Sequence, residues 1–569
     1  MIEIPPWTAA DPWPDDCRQL LLIGPPGTGK TRSILTTYAW PALRRGDALL
    51  ATSYTRAAAG ELRERTAREL GATPDTYRTQ LSTMHSESSR RCAGLGLIGE
   101  KSVPTPTRGG DEEDEGETGI DPMLATLARM ESEDTNDSFR AWESVRHRWP
   151  GDIGRTVRER LSRLLAGQHL DVAESVIRHD LDGRFDDDGK LVRPDFTSLL
   201  ELALVRGSVP HLDLLVVDEA QDLTPLQWAL IDRWAGQAIR LLIVGDPDQA
   251  IYGYAGADGR RLIAWANDGR PARRLAQSYR VPRSVHALAR RVVRTIADRI
   301  DAPYLPADRQ GTIEHAHDPA DVWAALAAGA ETGRSALVLS RSRKGCAVVV
   351  YELTDAEIPH IAERGPRLLG TVDHPSRAVR IARALDACLS PSPDATAAVT
   401  DLRAMVTAMS ARRWALPRGT KTALDTALKG ARGSIPLRAL VAVGLPRDAI
   451  AEAWADPVPR EWRDRLTTTG CPDVAGLLLI RDWVLTHGAN LYPLASRIIV
   501  TTCHGAKGRE ADTVVLDARS GSRAFTPAGS PEERDEDRRV LYVAITRPKD
   551  TLVLLRHPTR SDWLSQHGL

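Results

Sequence analysis

A short apolar run, Gln19–Ile23 (QLLLI), passes directly into Gly24-Pro25-Pro26-Gly27-Thr28-Gly29-Lys30-Thr31, and this junction limits the folds open to the chain more than any other stretch. Five residues, four of them apolar, that end on glycine are too few for an amphipathic helix and fit a strand buried on both faces. Three further runs of this kind follow: ALLAT at 48–52, LDLLVV at Leu212–Val217 and IRLLIV at 239–244. Each leads into a turn or a helix-like stretch, the pattern of a doubly wound parallel sheet. A second set, ALVL at 336–339, RIIVT at 497–501, TVVL at 513–516 and TLVLL at 551–555, calls for a second α/β domain. The expected fold class is therefore α/β, with two sheets.

At 569 residues the chain is too long for one hydrophobic core. Two segments break the strand pattern. Residues 88–200 are polar and helix-like, and within them GDEEDEGETG at 110–119 is acidic enough to be expected disordered. Residues 376–490 are rich in Ala, Leu and Arg at amphipathic spacing and read as a helical insertion. The expected division is 1–87 with 201–280 as the first α/β domain, and 281–375 with 491–569 as the second, each interrupted by its insertion.

Composition removes several classes. No apolar run reaches the roughly 18 residues of a membrane span, and the acidic, Pro-rich start MIEIPPWTAADPWPDD is not a signal peptide. The six cysteines include no CxxC pair, which argues against a zinc site or disulfide framework and suits a reducing cytoplasm. Net charge is −1, so a polyanionic partner would need basic residues gathered into a groove. The preference for Arg over Lys reads as coding bias.

Residues 24–31 match GxxxxGK[ST] directly after a strand. The glycines let backbone N–H groups close round phosphate oxygens. Lys30 would reach the β- and γ-phosphates, and the Thr31 hydroxyl would ligate Mg²⁺. Downstream, Asp218 and Glu219 follow LDLLVV, where an Asp can hold Mg²⁺ and a Glu can orient or deprotonate an attacking water. An isolated acidic pair would more simply cap the next helix; beside a phosphate loop that reading loses ground. GDPDQ at 245–249 follows IRLLIV and offers Gln249 as a γ-phosphate sensor, against an ordinary turn.

Further stretches follow in series: DEAQD at 218–222, GDPDQAIYGYAGA at 245–257, QSYR at 277–280, TCHGAKGRE at 502–510 and YVAITR at 542–547. TSYTR at 52–56 and STMHS at 82–86 precede them. In this order they resemble the helicase motifs of the UvrD/Rep/PcrA group of superfamily 1. The resemblance implies two tandem RecA-like P-loop motor domains with mainly helical insertions, ATP and Mg²⁺ as cofactors, and single-stranded DNA and duplex junctions as partners. It also implies 3′→5′ movement with unwinding, in repair, recombination or replication, and places any protein partner on the insertions.

Carried over position by position, the resemblance makes Arg280 and Arg547 arginine fingers, each of which alone would read as a surface ion pair. Gln249 would link the γ-phosphate to the DNA side. Arg32 and Tyr279 would sandwich adenine, and Glu510 would support the nucleotide site. Tyr54, Tyr252 and Tyr254 fall where bases stack, a grip that any base satisfies. For Tyr252 a core-packing role stays open. Thr55 would bind DNA, and His85, Thr502 and His504 would make DNA-backbone or coupling contacts, against a local hydrogen bond for each histidine.

The chain also departs from the group. Gln19 lies too close to the strand to serve as an adenine-reading Gln upstream of the phosphate loop, and no LNxxQ pattern occurs. Relaxed preference for ATP is therefore expected. Ala255 stands where Arg is frequent, and Arg509 where Leu is usual. Other readings remain: a protein-remodelling AAA+ ATPase, a DNA-stimulated ATPase beside a partner nuclease, or the 5′→3′ branch of the superfamily, which shares the GPPGTGKT spelling.

Overall fold

The computed structural model describes residues 4–8, 13–14, 17–53, 56–98, 196–363, 367–370, 375–392, 394–455, 474–519, 530–557 and 562–569. The acidic stretch 110–119 and most of 88–200 lie outside these residues. The described part of Met1–Arg280 joins Arg290–Asp308 and Ser530–Tyr542 in one compact unit; Val281–Ala289, Arg309–Gly529 and Val543–Leu569 contribute the other.

Fourteen strands are described: β1 Gln19–Ile23, β2 Leu49–Ser53, β3 Leu81–Thr83, β4 Leu212–Val217, β5 Ala238–Gly245, β6 Ala272–Arg274, β7 Thr312–Ala316, β8 Ala336–Ser340, β9 Ile361–Ala362, β10 Thr396–Ala398, β11 Ser434–Pro436, β12 Ile498–Thr502, β13 Ala511–Asp517 and β14 Pro548–Leu555. The first unit holds a sheet in the order β3-β2-β4-β5-β1-β6, with every pairing parallel. The second holds β7-β14-β13-β8-β12-β9, also parallel throughout. The fold is α/β with two parallel sheets flanked by helices, consistent with two RecA-like domains.

Side-chain alternation explains the apolar runs. Leu20, Leu22, Val216, Leu242 and Val244 face Ile34, Leu35 and Tyr38 on one side of the first sheet. Leu21, Ile23, Leu215, Val217, Leu241 and Ile243 face Trp228 and Trp234 on the other. Both faces are covered, so neither needs polar residues, and each fully buried Leu or Ile contributes about 1.5–3 kcal/mol. In the second sheet, Val338, Val500, Val515 and Val553 pack with Trp323 and Val349. Residues 376–455 and 474–495 form mainly helices round their own core, with β10 and β11 as an antiparallel pair.

The helix after the phosphate loop is irregular for an identifiable reason. Lys30–Ser33 runs through a π-helical turn, Ile34–Ala39, into Trp40–Arg45. Pro41 has no N–H to donate to the preceding turn, so the chain widens there. The widened turn carries Tyr38, whose hydroxyl accepts a hydrogen bond from Trp7 Nε1 at 3.0 Å, while Trp13 meets its ring edge-on.

In the second unit, Asp517 lies buried at the carboxyl end of β13, and burial raises its pKa although Arg519 pulls it down. Arg519 Nε donates to Asp517 at 2.8 Å, and its two Nη atoms donate to both oxygens of Glu352 at 2.9 and 2.8 Å. Removing this cation leaves a buried carboxylate uncompensated. Arg519→Ala is expected to destabilise the second unit by about 3 kcal/mol in denaturant titrations, with Arg519→Lys recovering only part because it cannot bridge two carboxylates in one plane.

Candidate functional site

Parallel strands deliver their carboxyl ends, and the loops that follow them, to one edge of a sheet. In the first unit β1, β4 and β5 are neighbours, with Ile23 opposite Gly245 and Val217 opposite Ile243. The phosphate-loop motif, DEAQD and GDPDQ therefore leave the sheet side by side, although nearly two hundred residues separate the first from the second.

The phosphate loop needs its glycines for stated reasons. Gly27 and Gly29 have φ of 70° and 80°, a region a side chain rarely adopts. A Cβ on Gly24 would lie 2.0 Å from Lys30 Cγ, so only glycine lets the lysine fold back over the loop. Lys30 Nζ donates to the Gly24 carbonyl at 2.9 Å and sits 3.8 Å from Glu219 Oε1. The Thr28 hydroxyl donates to the Pro25 carbonyl at 2.8 Å and closes the loop internally.

The QSYR segment packs onto this loop. The Ser278 hydroxyl donates to the Pro26 carbonyl, and the Tyr279 N–H to the Gly27 carbonyl, both at 2.8 Å. A Cβ on Gly27 would come within 2.5 Å of Arg280 Cβ. Arg280 is thus at the phosphate loop, and the Tyr279 ring is 69% exposed beside it. Arg32, exposed on the first turn after the loop, is the other half of the expected adenine pair.

Three carboxylates crowd the ends of β4 and β5. Asp218 is fully buried and pushed up to about 7, first by burial and then by the neighbouring charge of Glu219, with Lys30 opposing. Asp246 is raised by burial, and Asp248 is pushed up to about 7 by burial and by Asp246. Glu219 adopts a left-handed conformation, φ 51° and ψ 41°, which is rare for a residue with a side chain and marks strain at a site. A divalent cation held by Asp218 and the Thr31 hydroxyl would relieve the burial penalty on Asp218.

Gln221 ties these loops together. Its Nε2 donates to Glu219 Oε2 at 2.5 Å, and its Oε1 accepts the Asp246 N–H at 3.0 Å. Gly245 makes room for it: a Cβ there would lie 2.6 Å from Gln221 Oε1. Gln249 donates to Asp246 Oδ2 at 2.7 Å. Gln221 was not among the expected site residues. Its position inside DEAQD was visible, but its reach to the next loop depends on strand adjacency, which the sequence does not state.

The other expected residues distribute as follows. Tyr252 is half-buried, and beside it Gly253 lies against Glu536 of the helix Pro531–Ile545. His85 packs edge-on against Phe196, with ring centroids 5.3 Å apart. Tyr54, Thr55 and the side chain of Tyr254 lie outside the described residues. Four expected residues belong to the second unit. Thr502 accepts the Gly505 N–H at 3.1 Å and so shapes the turn that carries His504. Glu510 pairs with Lys549 at 2.9 Å, and Arg509, the residue that departs from the usual Leu, pairs with Glu363. Arg547 is 2% exposed and donates Nε to the Val543 carbonyl at 2.8 Å.

A pH dependence follows from Asp218. Its folded pKa, about 7, lies above its ordinary 3.8, so the folded chain binds more protons than the unfolded chain between those values. Stability of the metal-free protein is therefore expected to fall as pH rises from about 4 to 7. Asp218→Asn should remove its own share of that slope, leaving the part that Asp246 and Asp248 contribute, and at pH 8 in a chelator should raise stability by on the order of 2 kcal/mol; with Mg²⁺ restored it should abolish hydrolysis. Thermal unfolding across pH measures it; a destabilised Asn variant at pH 8 would count against the assignment.

Comparison with known proteins adds an independent line. The AAA domain family matches residues 16–255, and the UvrD-like helicase C-terminal domain family matches residues 485–558. Over 363 residues the chain is 28% identical to the ATP-dependent DNA helicase UvrD2 of Mycobacterium tuberculosis, covering 60% of this chain and 46% of that protein. It is 37% identical to DNA helicase II of Escherichia coli over 81 residues, 14% of this chain and 11% of the relative. It is 34% identical to the ATP-dependent DNA helicase PcrA of Staphylococcus epidermidis over 85 residues, 15% and 12%. The chain spans about half the length of the mycobacterial relative. With its motifs on two parallel sheets, and with one family matching the stretch from β1 to β5 and another the stretch from β12 to β14, the chain is similar to the UvrD/Rep/PcrA-like helicases of superfamily 1.

Proposed function

We propose that this chain is an ATP-dependent motor that moves 3′→5′ along single-stranded DNA and unwinds duplex ahead of it. The observation that carries the reading is the Gln221 bridge. One side chain joins Glu219, which in this reading orients the attacking water, to the loop that leads through Gln249 to Tyr252. Such a link lets a change at the hydrolytic glutamate reach a loop that can meet a second ligand.

In this reading Lys30 and the loop amides bind the β- and γ-phosphates, Glu219 holds the water, and Arg280 and Arg547 stabilise the charge that develops on the transferred phosphoryl group. Mg²⁺ held by Thr31 and Asp218 would neutralise phosphate charge. Tyr54, Tyr252 and Tyr254 would stack bases, each worth roughly 1–3 kcal/mol. Thr55, His85, Thr502 and His504 would hold the strand's backbone. Segments 88–200 and 376–490 would meet the duplex junction or a protein partner. A protein-remodelling role leaves the second sheet, with Arg547 and TCHGAKGRE, unaccounted for.

Duplexes with single-stranded tails test direction. Unwinding that requires a 3′ tail supports the proposal; unwinding only from a 5′ tail contradicts it. Lys30→Ala is expected to lower hydrolysis at least about a hundredfold while DNA affinity stays within about twofold, because the lysine acts on phosphate alone. With adenine held mainly by stacking between Arg32 and Tyr279, ATP and GTP should be hydrolysed at comparable kcat/KM. Strict selectivity for ATP would show that another residue reads the base edge.

A further inference from the structure

The loop after β5 is held from outside the helicase motifs. Asp248 is buried, and its Oδ2 accepts hydrogen bonds from Arg299 Nη2 at 3.0 Å and Nε at 3.3 Å. Its Oδ1 has no hydrogen-bond partner among the described residues. Arg299, with an 11% exposed side chain, also donates Nη1 to Asp301 Oδ1 at 3.1 Å, and Arg290 approaches the same carboxylate at 3.8 Å. A buried carboxylate bonded through one oxygen depends chiefly on this guanidinium to stay charged, with a weaker attraction from Arg539.

The segment carrying Arg299 is itself fixed. Asp535, on the helix Pro531–Ile545, accepts the Ala297 N–H at 2.9 Å and the Asp298 N–H at 3.4 Å. Arg539, one turn further on, donates to the Asp298 carbonyl at 2.5 Å. The same helix supplies Glu536, whose carboxylate a Cβ on Gly253 would approach to 2.8 Å. The polar loop is thus met at two points five residues apart in the chain: Asp248 is bonded to Arg299, and Gly253 packs against Glu536. Gln249 and Tyr252 lie between those points, with Gln249 turned to Asp246.

We infer that Arg299 is a positioning residue that, through Asp248, makes the Gln249–Tyr252 loop move with the helix Pro531–Ile545, and so carries the signal between bound DNA and hydrolysis. The inference rests on the proposed function. Arg299 spends its guanidinium on Asp248 and Asp301, and in this role it fixes where the loop sits. A guanidinium suits the task because its fork reaches Asp248 and Asp301 together, which an ammonium cannot do in one plane.

The test uses the full chain and steady-state ATP hydrolysis with and without oligo(dT). Arg299→Gln is expected to keep hydrolysis without DNA, and KM for ATP, within about twofold of the parent, while stimulation by DNA falls roughly tenfold. Arg299→Lys should recover part of the stimulation. Pairing Arg299→Gln with Asp248→Asn should be no worse than Arg299→Gln alone, since a neutral amide no longer needs the cation, and this pair also serves if the single variant folds poorly. Undiminished DNA stimulation in a folded Arg299→Gln or double variant overturns the inference and leaves the motor reading intact. Equal loss of basal and stimulated rates also overturns it, marking a merely structural ion pair. A parent chain indifferent to DNA overturns both readings.

Discussion

Buried negative charge at the carboxyl edge of the first sheet is the constraint on which the site depends. Asp218, Asp246 and Asp248 are each fully enclosed, and burial raises all three. Such a cluster costs stability unless cations and hydrogen-bond donors surround it. The chain supplies Lys30 near Asp218 and Asp246, Gln249 and the Asp248 N–H to Asp246, and Arg299 to Asp248. Most of these partners belong to loops that a motor would have to move. In the proposed motor, charge compensation and mechanical linkage would be the same contacts.

The strained backbone of Glu219 fits this picture. A left-handed glutamate persists only where its surroundings over-determine it, and here Gln221 and Lys30 hold its carboxylate from two sides. Gln221 is fixed in turn by the Asp246 N–H and by the space that Gly245 leaves. Motifs distant in sequence thus share hydrogen bonds because parallel strands place them side by side, and a change in one alters the geometry of the other.

Much of the fold was legible because parallel strands buried on both faces are continuous apolar runs. LDLLVV and QLLLI coincide with β4 and β1, and the other long runs coincide with β2, β5, β8, β12, β13 and β14 to within a few residues at each end. The edge strands were not legible. ARR of β6 and TIEHA of β7 each pair on one side only and keep polar residues, so they carry no apolar signature. The phosphate loop and Asp218–Glu219 announce themselves as local patterns. Arg299 does not: it lies in an ordinary Arg-rich stretch, and its role exists only through contacts with Asp248, fifty-one residues earlier, and a segment pinned by Asp535 far downstream. Ala255 and Arg509 were visible departures, and the second acquires a partner in Glu363.

In the proposed motor, hydrolysis at the phosphate loop answers to a nucleic-acid strand through the loop after β5. The most direct measurement is the steady-state rate of ATP hydrolysis as single-stranded DNA is titrated into the purified chain with Mg²⁺ present. A saturable rise of at least about fivefold in kcat is expected, the change that ~1 kcal/mol off the barrier produces. A rate unchanged at saturating DNA would contradict it.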